Sequence, residues 1–307
     1  MPLDPKSQAL MDMLAGAGFD GLEHQPIETG RALVSSIAAM GGDPPDVAEV
    51  REITIPGPDG EVSARLYRPA RDTLLPVFLW LHGGGWVYGT VDLNDTFCRN
   101  VANRVEAVVL NVDYRLAPEH PYPAALDDAV TMVSWVQEHG AEIGGDSTRV
   151  AIGGESAGGN IAAAAALRLR DSGAPPLSLQ VLVSPLLDSA MTSGSYEEHG
   201  EGKFLTKPLV AWAWEHYANG HLQEPYASPM HAADLSGSAP ALIINAEYEP
   251  VHDDGAAYYR RLLDGGVAAE WIDFKGMIHG FFEMATHFPQ AHESWEAVMQ
   301  ALTKAFA

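Results

Sequence analysis

The chain has 307 residues, of which 47% are hydrophobic, and this length is enough to bury one large core with or without a small lid. Its 18 basic and 41 acidic side chains give a net charge of -23, which excludes nucleic acid and anionic membranes as expected partners because both are negatively charged. The single cysteine, Cys98, cannot form an internal disulfide, and the first six residues carry no leader pattern, so we expect a cytoplasmic protein.

Alternating strand and helix patterns follow one another along most of the chain. Residues 7–14 and 28–40 are predicted to form short helices, and residues 52–55 and 62–67 to form a hairpin of two antiparallel strands. Six apolar strand patterns come next, at residues 76–81, 107–112, 150–153, 178–183, 241–246 and 270–274. Helix patterns lie between or after these strands, at residues 124–137, 157–169, 256–263 and 290–306. Continuous apolar runs of this kind are typical of parallel strands covered on both faces. The predicted fold class is therefore α/β, with an eight-stranded, mostly parallel sheet flanked by helices.

One stretch interrupts this alternation. Residues 188–226 contain no strand pattern, but they include an aromatic helix pattern around Trp212 and Trp214. We interpret this stretch as an insertion that forms a helical cap together with N-terminal helices in residues 1–45. The main catalytic domain would then comprise residues 46–187 and 227–307. The predicted cap covers the carboxyl edge of the sheet, where ligands bind in open α/β folds.

A G-x-S-x-G motif occupies residues 154–158, between the strand pattern at 150–153 and a helix pattern at 157–169. In this context the serine lies on a sharp turn that exposes its hydroxyl group, and the following helix N-terminus favours negative charge. The alternative is an ordinary glycine-rich turn. The context favours Ser156 as a catalytic nucleophile.

A second glycine-rich motif, His82-Gly83-Gly84-Gly85-Trp86, follows the strand pattern at 76–81. Successive glycines allow backbone N–H groups to turn inward and donate to an oxyanion. We predict an oxyanion hole formed by the N–H of Ala157 with Gly84 and either Gly83 or Gly85, between which the sequence does not choose. His82 is predicted to brace the loop.

The serine needs a general base, and His279 follows the last strand pattern, where the base of this fold is placed. The sequence predicts no metal site, because no pair of Cys or His residues has zinc-site spacing. It also predicts no dinucleotide cofactor, since the G-x-G-x-x-G match at residues 16–21 follows a helix pattern rather than a strand.

These motifs share their order and spacing with a known family. The matching segments are residues 82–86, 114–119, 123–125, 154–158 and 278–281. The chain resembles the bacterial hormone-sensitive lipase-like carboxylesterases along essentially its whole length. This resemblance implies the α/β-hydrolase fold with a cap, hydrolysis of small carboxylic esters with short acyl chains, no cofactor, and in many cases a homodimer.

The chain departs from the family at two acidic positions. Members usually carry Asp or Thr before the nucleophile, where this chain has Glu155, and an aspartate as the third catalytic residue, where the matching residue is Glu249. A glutamate can accept the imidazole N–H. Asp253 and Asp254 remain alternatives.

The motifs also suggest pocket residues and other functions. Trp86 and Phe281 are predicted to lie at the substrate pocket, and Arg115 and Glu119 could pair to brace the glycine loop.

An amidase or lactonase could use the same catalytic residues as an esterase. A non-catalytic small-molecule receptor of the same fold is disfavoured, because such a receptor is expected to lack one of the three catalytic residues.

Overall fold

The computed structural model describes residues 2–307 of the chain, which form one eight-stranded sheet with the order β1-β2-β4-β3-β5-β6-β7-β8. Strand β2 is antiparallel to both β1 and β4, and the remaining pairs are parallel. The predicted fold class is confirmed. The strands are β1 (Glu49–Gly57), β2 (Gly60–Arg68), β3 (Leu75–Leu81), β4 (Val108–Asp113), β5 (Gly145–Glu155), β6 (Leu179–Val183), β7 (Ala241–Tyr248) and β8 (Ala269–Ile278).

The central strand β3 shows why this sheet is covered on both faces. All seven of its residues are buried. Alternate side chains enter different cores, with Val77 and Leu79 on one side and Phe78 and Trp80 on the other, as the two-residue period of a strand requires. Helices cover both cores, so the continuous apolar run is explained by burial on two faces.

Within residues 2–307, α-helices surround the sheet. Helices α4, α5 and α8 contribute buried residues to one core, and α1, α3 and α9 to the other. The bounds are α1 (Pro5–Leu14), α2 (Ile27–Ser36), α3 (Asp95–Val101), α4 (Ala124–His139), α5 (Ala157–Asp171), α6 (Gly194–Glu198), α7 (Lys207–Ala218), α8 (His252–Asp264) and α9 (Pro289–Phe306).

The N-terminal segment and the insertion contact each other through aromatic side chains. Phe19 packs on Phe204 with ring centroids 6.0 Å apart. Trp212, on α7, stacks at 5.3 Å on Tyr88, which follows the glycine loop after β3. Both segments therefore lie beside the carboxyl edge of the sheet.

Several element boundaries differ from the sequence-based expectation. The helix predicted for residues 28–40 ends as α2 at Ser36 and continues as a tighter turn over Ile37–Gly41. Helix α3 was not predicted, and strand β8 extends four residues beyond its predicted end at residue 274 to Ile278. No helix in residues 2–307 is long and apolar enough to cross a membrane.

Candidate active site

Ser156 lies on the turn between β5 and α5. Its backbone has φ 55 and ψ -116, a conformation that residues other than glycine rarely adopt. The turn is held by the amide of Ser156, which donates to the carbonyl of Val183 on β6 at 2.8 Å. The strained turn therefore sits at the carboxyl end of β5, with the serine side chain at the edge of the sheet.

His279 follows the last residue of β8, and its ring lies between a hydroxyl and a carboxyl group. Its Nε2 is 3.0 Å from Ser156 Oγ, and its Nδ1 is 2.7 Å from Glu249 Oε2. Since a carboxylate can only accept, Nδ1 carries the proton and Nε2 is free to accept the serine proton. Three distant segments are thus joined by two hydrogen bonds in the order needed for nucleophilic catalysis.

Glu249 is fully buried after the end of β7. Its second carboxyl oxygen, Oε1, accepts from the side-chain amide of Asn245 at 2.8 Å and from the backbone amide of Ala246 at 3.0 Å. Asn245 is in turn fixed by the indole N–H of Trp271, which donates to its Oδ1 at 3.0 Å. These donors orient the carboxylate toward the imidazole. Asn245 was missed at the sequence level, because nothing marks its side chain as facing this loop.

The two alternative acids have other partners. Asp253 accepts from the amide of Ser195 at 2.9 Å, and Asp254 from the hydroxyl of Tyr196 at 3.2 Å. Both residues occupy the first turn of α8 and hold the insertion in place. Of Glu249, Asp253 and Asp254, Glu249 is the one hydrogen-bonded to His279.

The glycine loop after β3 runs beside Ser156, because Leu81 pairs with Gly154 in the parallel register of β3 and β5. Gly84 and Gly85 have φ of 118 and 60, which turn the backbone as only glycine does easily. The carbonyl of Gly84 accepts from the amide of Tyr88 at 2.8 Å, which closes the loop. Ala157 opens α5, where its N–H has no partner within the helix. Gly83, Gly84 and Gly85 line the same cavity as Ser156.

His82 is completely buried beneath this loop. Its Nδ1–H donates to the carbonyl of Gly83 at 2.7 Å, and its own carbonyl accepts from the hydroxyl of Tyr114 at 2.8 Å. The Tyr114 ring stacks on the imidazole with centroids 4.4 Å apart. Burial lowers the pKa of His82 to about 4, so the ring is neutral near pH 7. It braces the loop, and its Nε2 has no hydrogen-bond partner in the described part of the chain.

Arg31, on α2, also holds the loop, and this corrects the expected pairing of Arg115 with Glu119. Arg31 donates from Nε to the carbonyl of Val87 at 3.0 Å and from Nη2 to Glu119 at 2.7 Å. Arg115 instead pairs with the buried Asp128 at 2.8 Å. The predicted pairing was wrong because a cation from a distant helix competes for Glu119.

A mostly apolar cavity of about 90 Å³ opens beside Ser156. Trp86 and Phe281 do not line it, contrary to the expectation. Trp86 stacks on Tyr217 at 4.2 Å, and Phe281 packs on Phe274 at 5.1 Å, so both rings turn away from the cavity into the core. The apolar lining comes from the N-terminal segment, the region following the glycine loop, the loop after β6 and the insertion, and includes Leu22, Val34, Ile37, Tyr88, Leu93, Leu186, Phe204, Leu205, Leu209, Val210, Trp212 and Ala213.

Two further buried carboxyl groups, those of Glu155 and Glu283, face the same cavity. Glu155 Oε1 is 3.7 Å from His279 Nε2. Burial raises the pKa of both groups. Glu283 was missed at the sequence level, although a charged residue four positions after His279 in an aromatic run was an available signal. Among the described residues, no group of three His, Cys, Asp or Glu side chains could hold a metal ion.

Comparison with known proteins gives consistent matches. Residues 78–283 match a family described as alpha/beta hydrolase fold. Carboxylesterase NlhH of Mycobacterium tuberculosis is 37% identical to this chain, with 99% of this chain and 96% of that protein covered. Ethyl acetate hydrolase of Pseudomonas putida is 35% identical, with coverage of 87% and 86%. The structure of a hyperthermophilic esterase from Pyrobaculum calidifontis superimposes with a TM-score of 0.94 at 36% identity, over 100% of both chains.

Proposed function

Because the chain belongs to the alpha/beta hydrolase family that its residues 78–283 match, we propose that it hydrolyses carboxylic esters with Ser156 as nucleophile, His279 as general base and Glu249 as the orienting acid. The esterase class agrees with the names of its relatives, at 35% to 37% identity. The resemblance to hormone-sensitive lipase-like carboxylesterases is confirmed. The observation that carries the assignment of roles is the 3.0 Å and 2.7 Å pair of contacts that join Ser156, His279 and Glu249.

The first half of the reaction forms an acyl-enzyme. His279 Nε2 accepts the proton of Ser156 Oγ as this oxygen attacks the ester carbonyl. The carbonyl electrons move to oxygen, where the N–H groups of Ala157, Gly84 and either Gly83 or Gly85 donate to the oxyanion. The imidazolium is stabilised by Glu249. When the carbonyl re-forms, the C–O bond to the alcohol breaks and the alkoxide takes the proton from Nε2.

The second half releases the acid. A water molecule gives a proton to His279 Nε2 and attacks the acyl carbonyl, and a second oxyanion forms in the same place. Collapse of this intermediate breaks the bond to Ser156 Oγ, which recovers its proton from the imidazolium. One ester and one water thus give one alcohol and one acid, and the enzyme returns to its starting state.

The size of the cavity supports a short acyl chain. At about 90 Å³ it is smaller than a cavity of about 150 Å³ that holds one benzene molecule.

We also propose the division into a cap (residues 1–45 and 188–226) and a catalytic domain (residues 46–187 and 227–307). A cytoplasmic location and a homodimer stay part of the same proposal.

The test is a serine substitution with a matched control. Ser156→Ala is expected to lower kcat for p-nitrophenyl acetate by about 10⁶-fold, and a fluorophosphonate probe is expected to label the wild type at Ser156 and leave the variant unlabelled. Ser184→Ala, at a buried serine that follows β6, is the control and is expected to keep both activity and labelling. Normal turnover by Ser156→Ala would reject the proposed nucleophile. Faster hydrolysis of an anilide or a lactone than of the ester would reassign the substrate class.

A further inference from the structure

We propose that the ring of Phe204 separates the cavity beside Ser156 from a second, larger cavity, and that this partition restricts the enzyme to esters of small alcohols. The inference rests on the proposed ester hydrolysis and adds one residue that determines its specificity. Phe204 is assigned no step of the reaction itself.

The first step of the argument is that two cavities adjoin each other. The cavity beside Ser156 measures about 90 Å³, and a second cavity of about 220 Å³ lies between N-terminal residues 8–23 and insertion residues 202–209. We call this second one the outer cavity. Of the described lining residues, Phe204 and Leu209 border both cavities. These two side chains therefore form the boundary between them.

The second step is how Phe204 is held at this boundary. Its ring packs on the ring of Phe19, which is buried and lines the outer cavity, with centroids 6.0 Å apart. The ring also lies beside Gly280, because a Cβ atom placed on this glycine would be 3.1 Å from Phe204 Cε1. Phe204 therefore extends from the N-terminal segment to the loop after β8 that carries His279.

The third step is which part of the ester meets this ring. In the proposed reaction the leaving alkoxide takes a proton from His279 Nε2, so its oxygen must come within hydrogen-bond distance of that nitrogen. The carbonyl oxygen, by contrast, accepts from the glycine loop and Ala157. Since Phe204 lies beside Gly280, directly after His279, the alcohol group is the part that extends toward its ring.

The fourth step is the chemistry of the outer cavity. Its buried lining residues are the apolar Met11, Leu14 and Phe19, whereas Gln8 and Asp12 at its rim are exposed. An apolar floor suits the alkyl chain of an alcohol, because each methylene group removed from water contributes about 4-fold in affinity. The outer cavity can therefore bind a longer alkyl chain once that chain is able to enter it.

A limit on the alcohol follows from this arrangement. In the wild type, an alkyl chain that outgrows the cavity beside Ser156 meets the ring of Phe204. Removing the ring would join a space of about 90 Å³ to one of about 220 Å³. The side chain at position 204 thus sets the largest alcohol that is accepted, whereas the hydrogen bonds among Ser156, His279 and Glu249 do not depend on it.

Two isomeric esters distinguish the alcohol side from the acyl side. Hexyl acetate and ethyl hexanoate have the same composition, but the long chain belongs to the alcohol in the first and to the acid in the second. Phe204→Ala is expected to raise kcat/KM for hexyl acetate relative to ethyl acetate by about 15-fold to 60-fold, as two or three methylene groups enter the outer cavity. The ratio of ethyl hexanoate to ethyl acetate is expected to change by less than about 3-fold.

Three further variants locate the chain. Phe204→Leu keeps an apolar side chain and is expected to raise the ratio of hexyl acetate to ethyl acetate by about 4-fold. Leu205→Ala, at a neighbour that lines the cavity beside Ser156 but not the outer cavity, is the matched control and is expected to change this ratio less. Adding Gln8→Trp to Phe204→Ala fills the outer cavity from its exposed rim and is expected to return the ratio to within about 3-fold of the wild type.

Binding of the free alcohol supplies a readout that needs no turnover. Trp212 lines the cavity beside Ser156, so tryptophan fluorescence can follow a titration with 1-hexanol. Phe204→Ala is expected to bind 1-hexanol about 15-fold to 60-fold more tightly than the wild type, for the same reason of methylene burial. Thermal unfolding of every variant is measured alongside, and Phe204→Leu replaces Phe204→Ala if the alanine variant does not fold.

The outcomes against the proposal are specific. It is overturned by an unchanged ratio in both Phe204 variants, by an equal rise for the two isomers, by a Leu205→Ala effect as large as that of Phe204→Ala, or by a double variant that keeps the gain. A wild type that hydrolyses no ester would reject the proposed function. In that case tighter 1-hexanol binding by Phe204→Ala would still support the partition, and equal binding would overturn it.

Discussion

Glu249 occupies a position where the family usually has aspartate, and the loop after β7 is shaped for the longer side chain. The amide of Ala246 and the side chain of Asn245 hold Oε1 at 3.0 Å and 2.8 Å, so Oε2 reaches His279 Nδ1 at 2.7 Å. The extra methylene group of Glu249 thus lets its carboxylate reach both the fixed donors and the imidazole. Replacing Glu249 by the more usual aspartate should therefore be harmful here.

Two substitutions at this position test its role as the orienting acid. Glu249→Gln removes the charge that stabilises the imidazolium and is expected to lower kcat by about 10⁴-fold. Glu249→Asp keeps the charge but draws it back from the imidazole, and a loss of about 10-fold to 100-fold is expected. Both are measured as kcat and KM with p-nitrophenyl acetate. Asp253→Asn is the control, and a loss there equal to that of Glu249→Gln would move the acid to α8.

The sequence predicted the residues that follow strands in known motifs and missed those that act through contacts between distant segments. Ser156 and His279 could be placed because each follows a strand at the carboxyl edge of the sheet. The role of Asn245 could not be predicted, because it depends on how the loop places Glu249, four residues later, to accept from its side chain. Trp86 and Phe281 were predicted at the cavity from motif position alone, which does not fix the direction of a side chain.

Helix α2 supports the glycine loop through the side chain of Arg31. Arg31 joins this helix to the segment after the glycine loop by bonds to the carbonyls of Val87 and Ala117 and by a paired contact with Glu119. The side chain is 23% exposed, and these donors satisfy two carbonyls at once. The planar guanidinium makes this possible, whereas an ammonium group offers no such fork.

Arg31→Lys is therefore expected to loosen the loop although it keeps the charge. We expect a loss of about 1–2 kcal/mol in the free energy of unfolding and a fall in kcat of about 10-fold. The measurements are urea unfolding and steady-state kinetics. Arg51→Lys, on β1, where the arginine pairs with Glu49 at 2.7 Å near the surface, is the matched control and is expected to change neither. Identical behaviour of the two variants would show that α2 does not support the loop.

Element boundaries were predicted well where apolar runs are continuous and poorly where polar residues begin a helix. Strand β3 and helix α9 were predicted within one residue of their observed bounds. Helix α8 begins at His252, four residues before the predicted start, because its first turn is polar and bonds the insertion. Helix α3 is seven residues long, about two turns, which is shorter than the window of about 11–18 residues over which helical periodicity can be recognised.

Folding of the whole molecule is linked to pH through His82. Its pKa in the folded protein is about 4, against about 6.5 in the unfolded chain, so the unfolded state binds more protons between these values. The stabilisation from keeping this ring neutral is complete above pH 6.5. It falls as the pH drops toward 4 and then stays constant, a total change of about 3 kcal/mol.

The variant His82→Asn should remove this part of the pH dependence, because the asparagine amide can still donate to the carbonyl of Gly83 but does not titrate. Urea unfolding at a series of pH values between 7 and 4 measures the effect. We expect the difference in unfolding free energy between wild type and variant to shrink by about 3 kcal/mol across this range. A constant difference would mean that folding does not lower the pKa of His82.

The cavity beside Ser156 has walls of two origins. The groups proposed to react belong to loops at the ends of β3, β5, β7 and β8, whereas the N-terminal segment and the insertion supply most of the apolar lining. Mutations in the lining can thus accumulate without disturbing the hydrogen bonds among Ser156, His279 and Glu249. Descendants of this chain could acquire new substrate preferences by drift and selection in the lining, while inheriting an unaltered reaction centre.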